Sequence, residues 1–503
     1  MKRTKILIHK EFIKGKIDKR IYGSFVEHMG RVVYTGIYES EHPAANKDGF
    51  REDVIEKTKE MGVTCVRYPG GNFVSNYDWR DGIGPKEKRP RKRDLAWKSI
   101  ETNELGTDEF MKWIHEVGAE PIFAVNLGTK GVENAVSLLE YCNCERGSYY
   151  SDLRCENGHE EPYGIKMWCL GNEMDGDWQI GHKTAKEYGR LAHEVGKAMK
   201  LLDPSIELVV CGSSMSTNST FGNWEKKVLE HTYDLADYIS LHQYYGGQDK
   251  GTPEFLAQSL DMERYIKTVC NICDVEKVKR NSDKEINICF DEWGVWSIAA
   301  NVVQKSVEDN PWQIAPAISE QIYSMEDTLL FSSMMMNFLK YCDRVKVGCQ
   351  SLLTNISACI MTEEMGESWV QPIYYPFHYI AKYGHGVVLH SKEYGSGYKT
   401  ENFENVPCVD HVVVYNDDKN ELVLYMVNRT ETEIEIELDA EHFELNKVVE
   451  SVALYHENDI KATNLEDHNC ITPIEIENSK VENNIMFCSL LPLSFQMVRI
   501  NLK

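Results

Sequence analysis

Between about residue 18 and residue 380 the chain repeats one pattern: a short apolar run, then Gly, Asn, Glu or His, then a stretch with helical periodicity. The runs occupy residues 21–26, 63–67, 121–125, 165–170, 208–211, 238–241, 286–290 and 345–349, with helical patterns such as 184–202 between them. Continuous apolar runs suit strands buried on both faces, and successive parallel strands need long crossovers that are usually helical. Eight such units predict an α/β fold, a (β/α)₈ barrel over residues 18–385. The alternative is a doubly wound open sheet, which would carry a Gly-rich phosphate turn after an early strand. Tyr68-Pro-Gly-Gly-Asn72 matches that turn poorly, with Pro inside it and no Lys following. In a barrel, polar residues that directly follow the runs crowd the C-terminal rim, where such folds place their chemistry.

After about Gly386 the pattern becomes alternation without helices, as in residues 411–415, 422–427 and 434–438, with a turn at residues 416–420. Residues 386–503 are therefore expected to form an antiparallel β-sandwich. The junction has no Pro- or Ser-rich linker, so the sandwich is expected to pack firmly on the barrel.

Composition narrows the partners. Of 503 residues, 55 are Lys or Arg and 79 are Asp or Glu, a net charge of −24 that repels phosphate backbones and anionic membranes. A neutral or cationic small substrate suits it better, and neither nucleic acid nor membrane is expected as a partner. The fifteen cysteines are odd in number and scattered, no signal-like segment opens the chain, and no apolar run approaches the roughly 18 residues of a membrane helix. The reading is a cytoplasmic protein with reduced thiols.

Two strand ends carry carboxylates. The fourth run ends in Gly171-Asn172-Glu173, and the seventh in Asp291-Glu292-Trp293. Glu173, partly desolvated by Trp168 and Trp178, is placed to act as a general acid; the bland alternative is a rim salt bridge or a helix cap. As the ends of the fourth and seventh strands, Glu173 and Glu292 face each other across the barrel mouth. Opposed carboxyls are what glycoside cleavage needs, with about 5–5.5 Å between them for a nucleophile and about 6.5–9.5 Å for an activated water. Glu27, Asn72, Asn126, His242 and Tyr244 also follow runs and suit a sugar's hydroxyls. Arg67 ends an apolar strand and needs an anionic partner, which a nucleophilic carboxylate would supply. Trp97, Trp178, Trp293 and Trp296 are candidate pocket walls, although aromatics are more often core.

Three other features point elsewhere and carry less. Cys142, Cys144, Cys155 and His159 are zinc donors without a recognised finger spacing, and Cys270 and Cys273 form a CxxC late in a helical stretch. The basic run at residues 86–93 is flanked by acids and reads as a solvated loop or a subunit contact.

Taken in order, Arg20-Ile-Tyr-Gly-Ser-Phe-Val-Glu27-His, Arg67-Tyr-Pro-Gly-Gly-Asn72-Phe, Asp94-Leu-Ala-Trp97-Lys-Ser, Cys169-Leu-Gly-Asn-Glu173-Met-Asp, Ser240-Leu-His-Gln-Tyr-Tyr245 and Phe290-Asp-Glu292-Trp resemble the intracellular bacterial α-L-arabinofuranosidases of glycoside hydrolase family 51. The resemblance spans nearly the whole chain. It implies that residues 1–17 complete the sandwich, that anomeric configuration is retained by double displacement, that no metal or other cofactor takes part, and that the chains assemble as a hexamer built from dimers. It makes Glu173 the acid/base and Glu292 the nucleophile. Glu27, Asn72, Trp97, Asn172, Trp178 and Tyr244 then fall at substrate-binding positions, with Arg67 and Tyr244 orienting the nucleophile. Asn172 would bond the sugar 2-hydroxyl. The chain departs from the family at Gly294, where Asn is usual, and at Leu352, which aligns with a sugar-binding Gln; Gln350, two residues away, is a candidate substitute. The expected activity is release of terminal arabinofuranose from arabinoxylan or arabinan oligosaccharides. The alternatives are a related retaining glycosidase with altered specificity (β-xylosidase, galactofuranosidase or endo-glucanase) and a non-catalytic sugar binder.

Overall fold

The computed structural model describes residues 2–298, 300–309 and 311–503. All eight apolar runs are strands of a closed parallel barrel. After an N-terminal strand β1 (Lys2–Lys16) come β2 (Gly23–Phe25), β3 (Cys65–Tyr68), β4 (Glu120–Val125), β5 (Met167–Leu170), β6 (Glu207–Cys211), β7 (Tyr238–Tyr245), β8 (Asn287–Val295) and β9 (Val345–Gln350). Each of β2 to β9 pairs in parallel with its neighbour in sequence, and β9 closes the ring on β2. No open edge and no topological switch point remain, which excludes the doubly wound alternative.

The barrel interior is small and rich in sulfur. Cys65, Cys169, Cys289 and Cys349 are buried on its strands, and a Cβ at Gly23 would come within 2.6 Å of Cys65 Sγ, so only glycine fits beside that thiol. All fifteen cysteines are free, and only Cys470 is exposed. Most of them act as small hydrophobes.

The strands after the barrel that build the C-terminal sheet are β10 (Val387–Tyr394), β11 (Val409–Asn416), β12 (Glu421–Asn428), β13 (Ile434–Glu441), β14 (Leu445–Leu454), β15 (Ile474–Glu475), β16 (Ser479–Glu482), β17 (Ile485–Leu490) and β18 (Phe495–Leu502). With β1 they make one ten-stranded sheet in the order β15-β14-β18-β12-β11-β10-β1-β13-β17-β16. The expected sandwich is this sheet curled on itself, so that strands from both halves share one apolar core containing Ile6, Val413, Leu424, Ile436, Met486 and Ile500. β1 lies at its middle, antiparallel to β10 and parallel to β13. A strand arriving from the far end of the chain is not bound by a hairpin to run antiparallel.

Period-two alternation shows why β12 is buried on both faces. Leu422, Leu424 and Met426 point into the sheet's own core, whereas Val423, Tyr425 and Val427 join the core shared with the barrel. Between barrel and sheet lies the helix Met325–Lys340, buried along nearly its whole length. Lys340 at its end bonds Asp410 on β11, and Asp410 Oδ2 also accepts from Arg429 Nη2 at 2.7 Å, while Arg429 reaches Ser259 Oγ at 2.8 Å on a barrel helix. Burial opposes the charge of Asp410, yet Arg429 and Lys340 hold its carboxyl well below the usual carboxylate range. Asp410→Ala would leave Arg429 buried without its carboxylate and is expected to cost about 3–5 kcal/mol in chemical denaturation, in one transition for barrel and sheet together.

Candidate active site

Strand β8 carries one more residue than its neighbour over the same span. Cys289 pairs with Ser240 and Glu292 with His242, so three steps on β8 match two on β7. Strict alternation would turn only one of Asp291 and Glu292 inward; the bulge turns both. Arg67, on β3, takes them together. Its Nη1 donates to Glu292 Oε1 at 2.7 Å, its Nε lies 2.9 Å from Asp291 Oδ2, and its Nη2 donates to Asn172 Oδ1 at 2.7 Å. The guanidinium is 1% exposed and lies 4.8 Å from the centre of the Phe25 ring. Asp291 Oδ1 also accepts from Ser240 Oγ at 2.5 Å. Burial works against the Asp291 charge, but Arg67 and His242 hold its carboxyl down at about 2.

Glu173 stands in the loop after β5 with a φ of 43°, in the left-handed region that residues with a side chain seldom adopt. Trp178 Nε1 donates to its Oε2 at 2.6 Å, and His242 Nδ1 lies 2.9 Å from its Oε1. Burial raises the Glu173 pKa, and the neighbouring Glu292 raises it further against the pull of His242. His242 sits among three carboxylates, with Nδ1 3.5 Å from Glu292 Oε2 and Nε2 3.3 Å from Asp291 Oδ1. Burial disfavours its charged form, but Glu292, Asp291 and Glu173 outweigh burial and push its pKa up to about 10. Tyr244 Oη donates to Glu292 Oε2 at 3.0 Å and lies 2.7 Å from Ser351 Oγ.

The wall opposite is built by Glu27. Its Oε1 accepts from Phe73 N at 2.9 Å and from Trp97 Nε1 at 3.0 Å. A Cβ at Gly71 would meet Glu27 Oε2 at 2.4 Å, so the Gly-Gly turn exists to let this carboxyl approach the backbone. Burial, then the charge of Glu292, pushes Glu27 up to about 8. Trp97 is itself held by Asp94, whose carboxylate accepts from Ala96 N and Trp97 N. Asn72 opens the short helix Asn72–Asn76 and is half-buried. Asn172 bonds Gln179 Oε1 at 3.4 Å through Nδ2 in addition to Arg67.

Several expected site residues serve the fold instead. Trp168 is buried inside the protein with its Nε1 on Ile165 O and its ring against Phe123, so it does not desolvate Glu173. Trp293, pushed outward by the β8 bulge, packs on Phe331 and Phe338 of the helix Met325–Lys340. Asn126 organises its own loop, accepting from Gly128 N and Thr129 N and donating to Tyr77 O. His242, expected to suit a sugar hydroxyl, lies instead among carboxylates. Gln350 pairs across from Trp293 and faces outward, where its Nε2 donates to Ser357 O at 2.7 Å; it cannot stand in for the Gln missing at 352. Leu352 lies in the apolar core at 2% exposure. Trp296 does reach the site, edge-on to Tyr244 at 5.4 Å. Sequence reasoning missed Asp291, Ser351, Gln179 and the bridging role of His242. The only signal for Asp291 was its place beside Glu292, which the alternation rule argues against.

Among the described residues one trio, Glu173, His242 and Glu292, has ligand atoms all within 4.8 Å of one another, close enough for a metal ion. Two features disfavour one: the carboxylates around His242 favour its protonated form, which has no lone pair to offer, and Arg67 is already ion-paired with Glu292. Cys142, Cys144, Cys155 and His159 do not form such a group. In the basic run, Arg89 is spent on Glu109 and on the carbonyls of Gly84 and Asn103, which makes it an internal tie.

Residues 57–258 match the family described as the alpha-L-arabinofuranosidase 1 domain, and residues 291–494 the alpha-L-arabinofuranosidase C-terminal domain. The chain is 50% identical to the intracellular exo-alpha-(1->5)-L-arabinofuranosidase 1 of Bacillus subtilis, covering 99% of both proteins. Among solved structures it superposes on a family 51 alpha-L-arabinofuranosidase from Bifidobacterium longum with a TM-score of 0.94 at 40% identity, covering 100% of each chain. The arabinose complex of the Thermotoga maritima alpha-L-arabinofuranosidase gives 0.87 at 32% identity, covering 99% of each. Close identity along essentially the full length, under a shared barrel and C-terminal sheet, places this chain in glycoside hydrolase family 51, the α-L-arabinofuranosidases.

Proposed function

We propose that the chain is a retaining exo-α-L-arabinofuranosidase that releases terminal arabinofuranose from arabinan or arabinoxylan oligosaccharides. One observation carries the reading: a carboxylate oxygen of Glu173, one of Glu292 and a ring nitrogen of His242 all lie within 4.8 Å of one another. That closeness suits direct attack by one carboxylate better than the wider carboxyl separation of about 6.5–9.5 Å that an inverting enzyme uses. Glu292, ion-paired to Arg67 and steadied by Tyr244, attacks the anomeric carbon while Glu173 protonates the departing glycosidic oxygen. The bond to the leaving sugar breaks, a glycosyl ester forms on Glu292, and Glu173, now a carboxylate beside the His242 imidazolium, takes a proton from the water that hydrolyses the ester. Asn172, its oxygen held by Arg67 and one amide hydrogen given to Gln179, has its other amide hydrogen for the sugar 2-hydroxyl, and Glu27, Asn72, Trp97 and Trp178 surround the ring. The intracellular address in the Bacillus subtilis relative's name suits short imported oligosaccharides. Among the described residues no helix is long and apolar enough to cross a membrane. The resemblance also carries a hexamer built from dimers, which light scattering reads directly.

Hydrolysis of 4-nitrophenyl α-L-arabinofuranoside, with β-D-xylopyranoside and β-D-galactofuranoside alongside, tests the activity. Wild type is expected to prefer the arabinoside, Glu292→Ala to lose turnover, and Glu173→Ala to lose about 10²–10⁴-fold with a poor leaving group. An active Glu292→Ala protein would sink the assignment.

The pH profile tests the division of labour. An acid must be protonated to work, so the raised Glu173 pKa holds the basic limb of kcat above the ordinary carboxyl range near 4.3. Activity should persist toward neutrality and fall as pH rises past that limb; Glu173→Gln should erase the limb.

A second reading, altered sugar specificity on the same machinery, is favoured by Leu352 and Gly294. Leu352→Gln is expected to raise kcat/KM for the arabinofuranoside about fivefold, the worth of one hydrogen bond of about 1 kcal/mol. An unchanged ratio between sugars would place discrimination elsewhere.

A further inference from the structure

Ser351 follows the last barrel strand and lies 2% exposed beside the catalytic carboxylates. Its neighbour Gln350 pairs across from Trp293 and faces outward, so Ser351 falls on the inward face, and its backbone N–H donates to Trp293 O at 3.1 Å. Its hydroxyl lies 2.7 Å from Tyr244 Oη and has no other side-chain partner among the described residues. Gly294, the inward residue of β8 opposite Tyr244, leaves this space uncrowded: a Cβ there would stand 3.5 Å from Ser351 O.

Tyr244 has one proton and two neighbours, Glu292 Oε2 at 3.0 Å and Ser351 Oγ at 2.7 Å. An ionised carboxylate only accepts, whereas a serine hydroxyl donates or accepts. The 2.7 Å contact has geometry for Tyr244 to donate to Ser351, but then Glu292 would lose a donor and the serine hydroxyl would find no acceptor among the described protein groups. The arrangement that satisfies all three groups runs from Ser351 O–H to Tyr244 Oη, and from Tyr244 O–H to Glu292. We propose that Ser351 is a positioning residue for the nucleophile: its hydroxyl donates to Tyr244 and so commits the tyrosine proton to Glu292.

A donor behind the phenol makes it a stronger donor in front, because hydrogen bonds in a chain polarise one another. A stronger bond to the Glu292 carboxylate favours its ionised form, the form that attacks. The charged and titratable groups facing Glu292 are Arg67 from β3, His242 and Tyr244 from β7, Asp291 on its own strand, Glu173 after β5 and Glu27 after β2. Of these, only Tyr244 is hydrogen-bonded to Ser351, so a change at 351 reaches Glu292 through that hydroxyl.

The inference rests on Glu292 as nucleophile. Its test is the pH dependence of kcat/KM for 4-nitrophenyl α-L-arabinofuranoside in wild type, Ser351→Ala, Tyr244→Phe and the double variant, with melting temperatures measured throughout. Removing the serine hydroxyl weakens stabilisation of the Glu292 carboxylate, so the acidic limb of Ser351→Ala should move up by about 0.5 pH unit with KM little changed. On top of Tyr244→Phe the same change should move it no further, and Ser351→Thr should keep the limb where wild type has it. An unmoved limb in Ser351→Ala, or an equal shift in both tyrosine backgrounds, overturns the proposal. A wild type that cleaves no glycoside in the panel brings down the catalytic reading and this inference with it, a result distinct from an active enzyme whose limb stays put.

Discussion

The buried guanidinium of Arg67 is the constraint around which the mouth of the barrel is built. A charge at 1% exposure is tolerated only if it is paired, and here the guanidinium hydrogen-bonds Glu292 and Asn172 and forms an ion pair with Asp291, from the ends of two other strands. Lysine would not serve, because a single ammonium point cannot hold three partners at fixed angles as a planar fork does. The bulge in β8 follows from the same demand, since without it one of the two acids beside Arg67 would face away.

Electrostatics then separates acids that sequence alone would treat as equals. Asp291, sealed in and flanked by Arg67 and His242, is driven to about 2 and stays ionised. Glu27 and Glu173, buried with fewer direct cations, are driven upward, Glu27 to about 8. His242, held near 10, keeps one positive charge between Glu173 and Glu292. Depressed and raised carboxyls in one pocket, spaced for bond making and proton transfer, are what a double displacement requires.

The C-terminal sheet contributes by holding the barrel's outer layer. β12 has no solvent face: one side closes the sheet's own core and the other meets the barrel's helices. The helix Met325–Lys340, caught between them, presses Phe331 and Phe338 on Trp293, the residue that follows Glu292. The outward packing of Trp293 and the inward aim of Glu292 are two sides of one strand conformation.

Much of this was legible in the sequence. All eight barrel strands announced themselves as apolar runs because strands buried on both faces have no polar positions to confuse the pattern, and the polar residue after each run marked the rim. Glu173, Glu292, Arg67 and Tyr244 were found that way, and the spacing of the two glutamates already set them on opposing strands. What the sequence could not settle depended on register and depth. Alternation cannot reveal a bulge, so Asp291 was passed over and Trp293 was given to the pocket. Apolar bulk near a strand end says nothing about which side it packs on, so Trp168 was misplaced, and alternation carried past the end of β9 misplaced Gln350. His242 and Ser351 gained their roles only when strands far apart in the chain were brought side by side. The amino-acid order determined which chemical groups stand at the barrel rim; tertiary structure decided which face each group presents and which charge it meets, because both depend on neighbours from other strands.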